Sequence, residues 1–398
     1  MTRLLFSTGL LVALSASALA QDDGVSVLTT AVPFLQIEPD SRAAGMGMAG
    51  VAVADNAYAP WWNPAGLAGQ QGTEVSFTHA PWLPALGANL SYEHLSAKHG
   101  LGSAGTLGGH LTYFDLGTQI ATNDQGQELG EFSSYELALG LSYGYPVTEN
   151  LAVGVGGRFI YSNLTGGAVI GQNTQTSAGT SVGVDVGAKY TAPDIGLGKS
   201  SRPSVAFNLA NMGPGISYTE FTEVPDAIPT TLRMGVALDT EIDDFNRLLL
   251  ALDVNKIVVN PRRVEQEDGT FRTEYDPFYE ALFTSWESRT VKTSRGSDGL
   301  TCDDLAANDD VSDDCDVVSG LRSLTLGTGL EYWYNDLLAL RAGYFYEDPA
   351  NGNRQFMTFG TGIRYSLVGV DISYIYALQE NSPLADQLRF SLLLNIPR

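Results

Sequence analysis

The chain has 398 residues, of which 44% are hydrophobic and 44 are glycine, and its formal net charge is −23. This apolar content is typical of a folded protein, whereas so acidic a chain repels phosphate and argues against a nucleic-acid partner. No apolar run of about 18 residues follows the N-terminal region, which excludes a helical membrane protein. Two cysteines are too few for a disulfide scaffold or a cysteine-rich zinc site.

The N-terminus has the pattern of an export signal. Arg3 precedes an apolar run that ends at Leu14, and Ala18-Leu19-Ala20 supplies small residues at both key positions of a cleavage site. We therefore expect residues 1–20 to be a signal peptide. The mature chain would begin at Gln21 and fold outside the cytoplasm.

From about residue 73 onward, hydrophobicity alternates with a period of two, which predicts β-strands. In residues 135–145, tyrosine and leucine occupy one face, while glutamate, alanine, glycine and serine occupy the other. The second face of such strands carries small residues and isolated charges: Asp185, Lys189, Arg341, Arg364 and Asp371. Large apolar residues facing lipid, opposite small and polar residues facing a lumen, are typical of a transmembrane β-barrel.

Tyrosines occur in pairs at the predicted strand ends, on the apolar face. The pairs are Tyr143/Tyr145, Tyr332/Tyr334, Tyr344/Tyr346 and Tyr374/Tyr376. An aromatic ring with a polar tip is favoured where hydrocarbon meets lipid headgroups. The pairs therefore favour a membrane barrel over a soluble sandwich.

The connectors between predicted strands alternate in length. Tight links are expected near residues 146–150, 241–246, 335–336 and 368–369. Longer ones are expected near residues 81–87, 119–132, 165–178, 213–230, 259–319, 347–354 and 379–386. Short periplasmic turns and long external loops are typical of outer-membrane barrels. Seven long loops predict 14 antiparallel strands in an all-β fold, with both ends of the barrel on the periplasmic side.

The residues before the first strand do not alternate and are rich in glycine, alanine and methionine. A cylinder of 14 strands is too wide for its own side chains to fill. We therefore expect residues 21–71 to plug the lumen of a barrel formed by residues 72–398. The plug residues of interest are Met46, Met48, Trp61, Trp62, Asn63 and Pro64.

Part of this segment resembles a known family. Ala44-Gly45-Met46-Gly47, followed by Asn63-Pro64-Ala65-Gly66-Leu67, resembles the N-terminal hatch of FadL-type long-chain fatty-acid channels. A wider resemblance is to the PorV (LptO) proteins of the bacterial type IX secretion system. Its blocks include Ser41-Arg42-Ala43-Ala44-Gly45-Met46-Gly47, Thr78-His79-Ala80-Pro81-Trp82-Leu83, Ile228-Pro229-Thr230-Thr231-Leu232-Arg233 and Leu340-Arg341-Ala342-Gly343-Tyr344-Phe345-Tyr346.

The PorV resemblance implies a FadL-like barrel in the bacterial outer membrane, with no cofactor and no catalytic chemistry. Such a protein recognises secreted cargo through the C-terminal domain of the cargo. It takes this cargo from the SprA translocon to an attachment complex containing the PorU sortase. A FadL-type channel for hydrophobic small molecules, such as long-chain fatty acids, is the alternative. That alternative predicts an apolar pocket beneath the loops and a movable plug.

The long loop carries two candidate features. Cys302 and Cys315 enclose twelve residues, and in an exported protein this pair predicts a disulfide. Clustered aspartates could coordinate Ca²⁺, but the spacing lacks the glycine and terminal glutamate of an EF-hand. A solvated acidic loop without a metal is therefore the expectation. The aspartates are Asp303, Asp304, Asp309, Asp310, Asp313, Asp314 and Asp316.

Two tryptophans in predicted external loops are candidates for partner contact. Trp82 stands between Pro81 and Leu83, and Trp286 lies in the long loop. Water disfavours such side chains unless they bury against a partner, the membrane or their own loop neighbours. Partner contact and packing within the loops therefore remain alternatives.

Catalytic motifs are scarce. Neither a GxSxG elbow nor an HExxH helix accompanies the four histidines, which lie in or beside the first three predicted strands. A Ser-His pair across neighbouring strands is the remaining enzymatic alternative. We expect a binding protein and not an enzyme.

Overall fold

A computed structural model describes residues 29–86, 89–122, 127–166, 169–170, 174–219, 224–265, 271–292, 315–379 and 382–397. The predicted signal peptide, Cys302 and most of the acidic run lie outside the described residues. The elements below belong to the described ranges.

The strands are β1 (Thr73–Trp82), β2 (Leu90–Gly100), β3 (Thr106–Thr122), β4 (Glu128–Pro146), β5 (Leu151–Asn163), β6 (Val169–Ile170), β7 (Thr174–Gln175), β8 (Gly179–Thr191), β9 (Ser200–Met212), β10 (Thr231–Glu241), β11 (Asn246–Ile257), β12 (Pro261–Glu265), β13 (Phe271–Tyr275), β14 (Arg289–Lys292), β15 (Cys315–Val318), β16 (Leu324–Tyr334), β17 (Leu338–Glu347), β18 (Gln355–Tyr365), β19 (Val368–Ala377) and β20 (Leu388–Ile396). The helices are α1 (Ser41–Ala44), α2 (Ala59–Trp62) and α3 (Phe278–Thr284). Within the described ranges, no helix is long and apolar enough to cross a membrane.

Fourteen strands close into one antiparallel barrel in the order β1-β2-β3-β4-β5-β8-β9-β10-β11-β16-β17-β18-β19-β20. Pairing of β1 with β20, from Thr73 opposite Ile396 to His79 opposite Phe390, closes the ring. The predicted all-β fold of 14 antiparallel strands is therefore confirmed. The remaining strands form two-stranded sheets within connectors: β6 with β7, β12 with β13, and β14 with β15.

Burial alternates along the barrel strands, as the sequence period predicts. In β20, Arg389, Ser391 and Leu393 are buried, while Phe390 and Leu392 between them are exposed. The same alternation of small or polar buried residues with large exposed apolar residues appears in β5 and β8. The barrel therefore has an apolar outer wall and a polar, small-residue inner wall.

Long and short connectors lie at opposite ends of the barrel. The long connectors include residues 213–230 and 258–323, and β1 begins at the end that carries the short ones. One predicted turn is displaced: it lies at Ser366 and Leu367, where Ser366 has a φ of 56°. Gly369, predicted in the turn, belongs to β19. A Cβ there would lie 2.7 Å from Cδ of Arg364, so this glycine makes room for an arginine.

The predicted loop at residues 119–132 is largely strand. β3 continues to Thr122 and β4 begins at Glu128. A register shift between Asp115 and Thr118, where Gly117 has a φ of 73°, lets the pairing continue past an irregularity. The sequence pattern predicted a loop in this region because glycine and polar residues interrupt the alternation.

The segment before β1, residues 29–72, forms short turns and is mostly buried. The Asp40 carboxylate accepts a hydrogen bond from the Ala43 amide and caps α1. The Asn63 side chain caps the next turn in the same way, accepting from the Ala65 amide at 3.0 Å. We call residues 29–72 the N-terminal segment.

Candidate functional site

The N-terminal segment packs on the inner wall of the barrel and donates backbone hydrogen bonds to it. The amides of Gly50 and Val51 reach Oδ2 of Asp253 in β11 at 2.7 and 2.8 Å. The Gly47 amide reaches Oγ1 of Thr358 in β18 at 2.8 Å. Further around the wall, backbone amides bond Ser391 in β20 and Glu74 in β1. The wall thus supplies polar partners that satisfy buried backbone groups of the segment.

A chain of buried ion pairs links the segment to the wall. Arg42 pairs with Glu331 in β16, which also accepts from Nε of Arg341 at 2.6 Å. Arg341 in turn pairs with Asp371 at 2.8 Å, and Asp371 pairs with Arg364 at 2.6 Å. Buried charges are tolerated when each has an opposite partner with good hydrogen-bond geometry. In this chain each buried cation lies beside an anion, from Arg42 in α1 to Asp371 in β19, so every charge has an opposite partner.

Wall glycines allow the segment to approach the backbone of the barrel. A Cβ at Gly187 in β8 would lie 2.0 Å from Oδ1 of Asn63. A Cβ at Gly343 in β17 would lie 2.1 Å from the amide nitrogen of Gly47. Neither distance is compatible with a side chain, so part of the glycine excess serves the packing of the N-terminal segment.

The residues expected in a plug are buried in this interface. Met46, Trp61 and Asn63 have almost no exposed surface. The guanidinium of Arg233 lies 3.9 Å from the ring centroid of Trp61 and donates to its carbonyl at 2.7 Å. Asn63 donates to backbone carbonyls of β8 and β9. These side chains therefore hold the segment against the wall from β8 to β10.

Trp62, Pro64 and Met48 occupy comparable positions. The Trp62 indole donates to Oδ1 of Asp40 at 3.0 Å, and its carbonyl accepts from Asn208 at 2.9 Å. Pro64 is buried and opens the turn that Asn63 caps. Met48 has a φ of 64° and packs beside Phe345 and Phe356. Met48 thus faces the long-connector end of the barrel.

An apolar chamber lies at the long-connector end, above the N-terminal segment. We call it the mouth chamber; it is lined by Phe34, Met48, Trp82, Phe114, Phe345 and Phe356. Arg354 and Arg389 supply cationic groups at its edge. Arg389 is buried and donates to the Glu38 carbonyl, but its Nη2 atom has no hydrogen-bond partner among the described residues. The chamber therefore combines aromatic walls with a buried donor.

The two candidate contact tryptophans are less exposed than expected. Trp82 is half-buried and meets the Phe114 ring edge-on, with centroids 6.1 Å apart. Trp286 is half-buried too, since its indole donates to the Leu282 carbonyl and the Lys256 ammonium lies 4.7 Å from its ring. Pro81 is exposed at the end of β1, and Leu83 beside it is half-buried. For both tryptophans, packing on neighbours accounts for the burial.

The long connector has an organised base around Asp276. Its carboxylate accepts from Arg262, Asn260 at 2.9 Å and Thr284 at 2.6 Å. Burial alone would raise the pKa of Asp276, but the hydrogen bonds and the charge of Arg262 lower it below its ordinary value. This carboxylate therefore joins the start of the connector, the β13 end and α3.

Helix α3 carries an exposed aromatic surface that was not predicted from the sequence. Phe283 is 78% exposed and Tyr279 is 57% exposed, with Phe278 beside them. Beneath Phe278 lies a groove formed with the connector between β9 and β10. The aromatic residues from Phe278 to Phe283, which stand inside a polar loop, could have indicated this surface from the sequence.

His94 and His110 lie together on the inner wall, whereas His79 pairs with Glu93 at 3.0 Å. His94 lies 2.8 Å from the Ser96 hydroxyl, but its other ring nitrogen contacts the Thr112 hydroxyl at 2.9 Å. A nucleophile-activating histidine is ordinarily oriented by a carboxylate. His110 stacks on His94 with ring centroids 5.4 Å apart, and both are buried in the inner wall. This arrangement is that of polar wall packing.

Within the described ranges, no group of three or more histidine, cysteine, aspartate or glutamate side chains could hold a metal ion. The acidic run from Asp303 to Asp314 lies outside them, so the solvated-loop interpretation stays a prediction. Cys302 lies outside them too, and Cys315 opens β15 with an undescribed side chain. The predicted disulfide is therefore also untested.

Fold and site together define a closed β-barrel with an apolar outer wall and a structured face of connectors at one end. A family model described as "Type IX secretion system protein PorV" matches residues 19–263, which is more than half of the chain. The chain belongs to the PorV family of the type IX secretion system. Family membership and the closed barrel support an outer-membrane location. A search of curated proteins found no match.

Solved structures similar to the chain include three bacterial barrels. The toluene transporter TbuX of Ralstonia pickettii is 13% identical over 90% of this chain and 98% of its own, with a TM-score of 0.46. The toluene transporter TodX of Pseudomonas putida has the same identity and TM-score, over 90% and 96%. A Pseudomonas aeruginosa FadL homologue is 12% identical over 93% and 99%, with a TM-score of 0.43.

Proposed function

We propose that the protein is a plugged transmembrane barrel that serves as a shuttle in type IX secretion. It binds secreted cargo through the cargo's C-terminal domain and passes it from the SprA translocon to the PorU-containing attachment complex. The observation that carries this proposal is the family match over residues 19–263. No bond is made or broken, so the mechanism is binding and release.

The plug is residues 21–71, and its described part supports a fixed rather than mobile role. Removing it would leave Glu331 and Asp253 without partners in the segment. Losing one partner of a buried ion pair is strongly unfavourable. A fixed plug closes the lumen to polypeptide, which favours cargo binding on the connectors at the barrel's mouth.

The orientation follows from the barrel anatomy. Long connectors face the cell exterior and short turns face the periplasm in outer-membrane barrels. Tyr143 and Tyr332 mark the short-turn end of the outer wall, while Tyr346 and Tyr374 mark the opposite end, as interfacial girdles require. The loop at residues 259–319 would then face the cell exterior, where cargo is delivered.

Loop shortening with affinity purification from native outer membranes tests the proposal. Replacing residues 262–318 by a short glycine-serine linker keeps Lys256 and the turn Gly320–Ser323, which bond each other. We expect loss of co-purified cargo while the barrel remains heat-modifiable on gels. The matched control replaces residues 195–198, at the opposite end, with glycine and serine and should retain cargo. Equal cargo recovery from both variants would contradict the shuttle assignment.

The mouth chamber favours a second candidate function, a channel for hydrophobic small molecules of the FadL type. Its aromatic lining and the free donor of Arg389 suit an apolar molecule with an anionic end. Mass spectrometry of the purified barrel would then detect a bound lipid that added fatty acid displaces. Co-elution of cargo without lipid would argue for the shuttle.

A further inference from the structure

An apolar groove of about 430 Å³ lies between the connector that follows β9 and the connector that follows β11. We call it the loop groove; it is lined by Pro214, Pro225, Ala227, Val259, Tyr275 and Phe278. Pro214, Pro225 and Phe278 are exposed to solvent. Water disfavours apolar surface, and a concave apolar site of this size is typical of a binding site. The groove therefore suits an apolar occupant.

The N-terminal segment begins beside the loop groove. The Ala31 amide donates to the carbonyl of Ala227 at 2.9 Å, and Ala227 belongs to the groove lining. One residue later, Val32 is 1% exposed and belongs to the same apolar cluster as Ile216 and Ile228. The chain therefore enters the mouth of the barrel along the connector between β9 and β10.

Val32 fixes the direction in which the chain passes this connector. Its φ of 46° and ψ of 52° lie in the left-handed region, which a β-branched residue rarely adopts. Such a conformation costs about 1–3 kcal/mol and persists only where the surrounding structure imposes it. Burial of Val32 and the hydrogen bond of Ala31 impose it here. The residues before Ala31 therefore start from the edge of the groove.

The connector also offers a backbone donor at this point. Ala227 accepts the hydrogen bond from Ala31, but its own amide donates none within the described part of the chain. An extended segment can add to such a backbone edge through main-chain hydrogen bonds while its side chains fill adjacent pockets. The occupant that fits is therefore an extended, apolar stretch of polypeptide.

Residues 21–28, which precede the described chain, have this character. Val25, Val27 and Leu28 are apolar, and the two valines alternate with smaller residues. Eight residues in extended form span up to about 26–29 Å. Since Leu28 is only three residues before Ala31, this stretch can cross a groove of about 430 Å³.

Covalent attachment favours this occupant over a separate molecule. A short flexible tether gives a segment an effective concentration on the order of millimolar at its site. Cargo, or a second copy of the chain, would have to displace the tethered segment. The beginning of the mature chain therefore has the advantage in binding.

We propose that residues 21–28 bind in the loop groove, with Val25, Val27 and Leu28 against its apolar lining. The mature N-terminus then joins the two connectors at the mouth of the barrel, which follow β9 and β11. This contact involves no cargo, so its test is separate from that of the shuttle assignment.

Photo-crosslinking within one chain tests the contact. The full chain, purified from outer membranes into lipid nanodiscs, carries benzoyl-phenylalanine in place of Phe278. The control carries it in place of Tyr365, which is 77% exposed at the opposite end of the barrel. After denaturation and trypsin digestion, position 278 should be linked to the peptide that ends at Arg42, through a residue between 21 and 28. Position 365 should give no such product. Links from position 278 only to lipid, to a second copy or to a co-purified protein overturn the proposal.

Hydrogen exchange tests the same contact without a photoreactive group. The triple variant Val25→Ser, Val27→Ser, Leu28→Ser removes the apolar side chains, and Asp22→Ser, Asp23→Ser, Gly24→Ser is the matched control. We expect about tenfold faster exchange at residues 224–228 in the first variant and wild-type exchange in the control, with both barrels heat-modifiable on gels. Equal exchange in wild type and both variants overturns the proposal.

Rescue in trans separates docking from local unfolding. A synthetic peptide of residues 21–28, added at about millimolar concentration, should restore slow exchange at residues 224–228 in the first triple variant. The same peptide with serine in place of Val25, Val27 and Leu28 should not. Faster exchange that the wild-type peptide does not reverse would assign the effect to local unfolding and overturn the proposal.

Discussion

Arg42 of α1 and Glu331 of β16 form a bidentate ion pair inside the barrel. Nε lies 2.9 Å from Oε2 and Nη2 lies 2.8 Å from Oε1, although the two residues are 289 positions apart in the chain. The Glu331 side chain is 1% exposed and also receives Arg341 from the neighbouring strand. One carboxylate therefore joins the N-terminal segment to two strands of the wall.

Substituting Glu331→Gln should destabilise the barrel by about 3–5 kcal/mol, because Arg42 and Arg341 would stay buried without their carboxylate. Denaturant unfolding in detergent, followed by the gel shift of the folded barrel, measures this effect. Lys199→Ala is the control, since the Lys199–Asp244 pair is exposed to solvent. The control should unfold like wild type. A Glu331→Gln barrel as stable as the control would show that the pair contributes nothing.

A pair of wall glycines tests the contact between segment and barrel. Gly187→Ala places a methyl group 2.0 Å from Oδ1 of Asn63, whereas a Cβ at Gly157 in β5 meets nothing within 4 Å. We expect Gly187→Ala to cost about 1–3 kcal/mol through overpacking. Gly157→Ala should be close to neutral in the same unfolding assay. Equal stability of the two variants would mean that the segment does not sit against β8.

The barrel strands could be predicted from the sequence because the alternation that reveals them arises within each strand. A strand between lipid and a polar lumen must alternate, so the period of two in residues 135–145 reveals both faces at once. The N-terminal segment stood out for the opposite reason, since it lacks that alternation. The turn at Ser366 was missed because Gly369, three residues further on, gave the stronger sequence signal.

The charges of the lumen could not be paired from sequence. Asp185 looked isolated, yet it pairs with Arg158 across adjacent strands, because β5 and β8 bring them together. Arg341 lies opposite Glu331 only in the observed register of β16 and β17. Trp82 likewise appeared exposed until Phe114 of β3 was placed beside it. Such contacts depend on register and tertiary packing, which local patterns do not encode.

The disulfide predicted between Cys302 and Cys315 gives a chemical test of the long connector. Closing a loop of this length limits the unfolded conformations and stabilises the connector by about 3 kcal/mol. Ellman's reagent should label neither cysteine in unreduced protein from the cell envelope and both after reduction under denaturing conditions. Labelling of both before reduction would show that the thiols are free.

Acid should loosen the base of the long connector through Asp276. Since the folded state lowers the pKa of this carboxylate, its ionisation stabilises the connector above about pH 4, the ordinary value of an aspartate. That contribution is lost as the pH falls through the lowered folded value. Hydrogen exchange of the α3 amides, corrected for intrinsic rates, should therefore show greater protection at pH 7 than at pH 3.

Asp276→Asn should remove this pH dependence, because an amide cannot form the ion pair with Arg262. The variant is expected to have low α3 protection at both pH values, with unchanged exchange in the barrel strands. Glu280→Gln, on the exposed side of α3, is the matched control and should keep the wild-type difference. The same difference in Asp276→Asn would assign the acid response to another group.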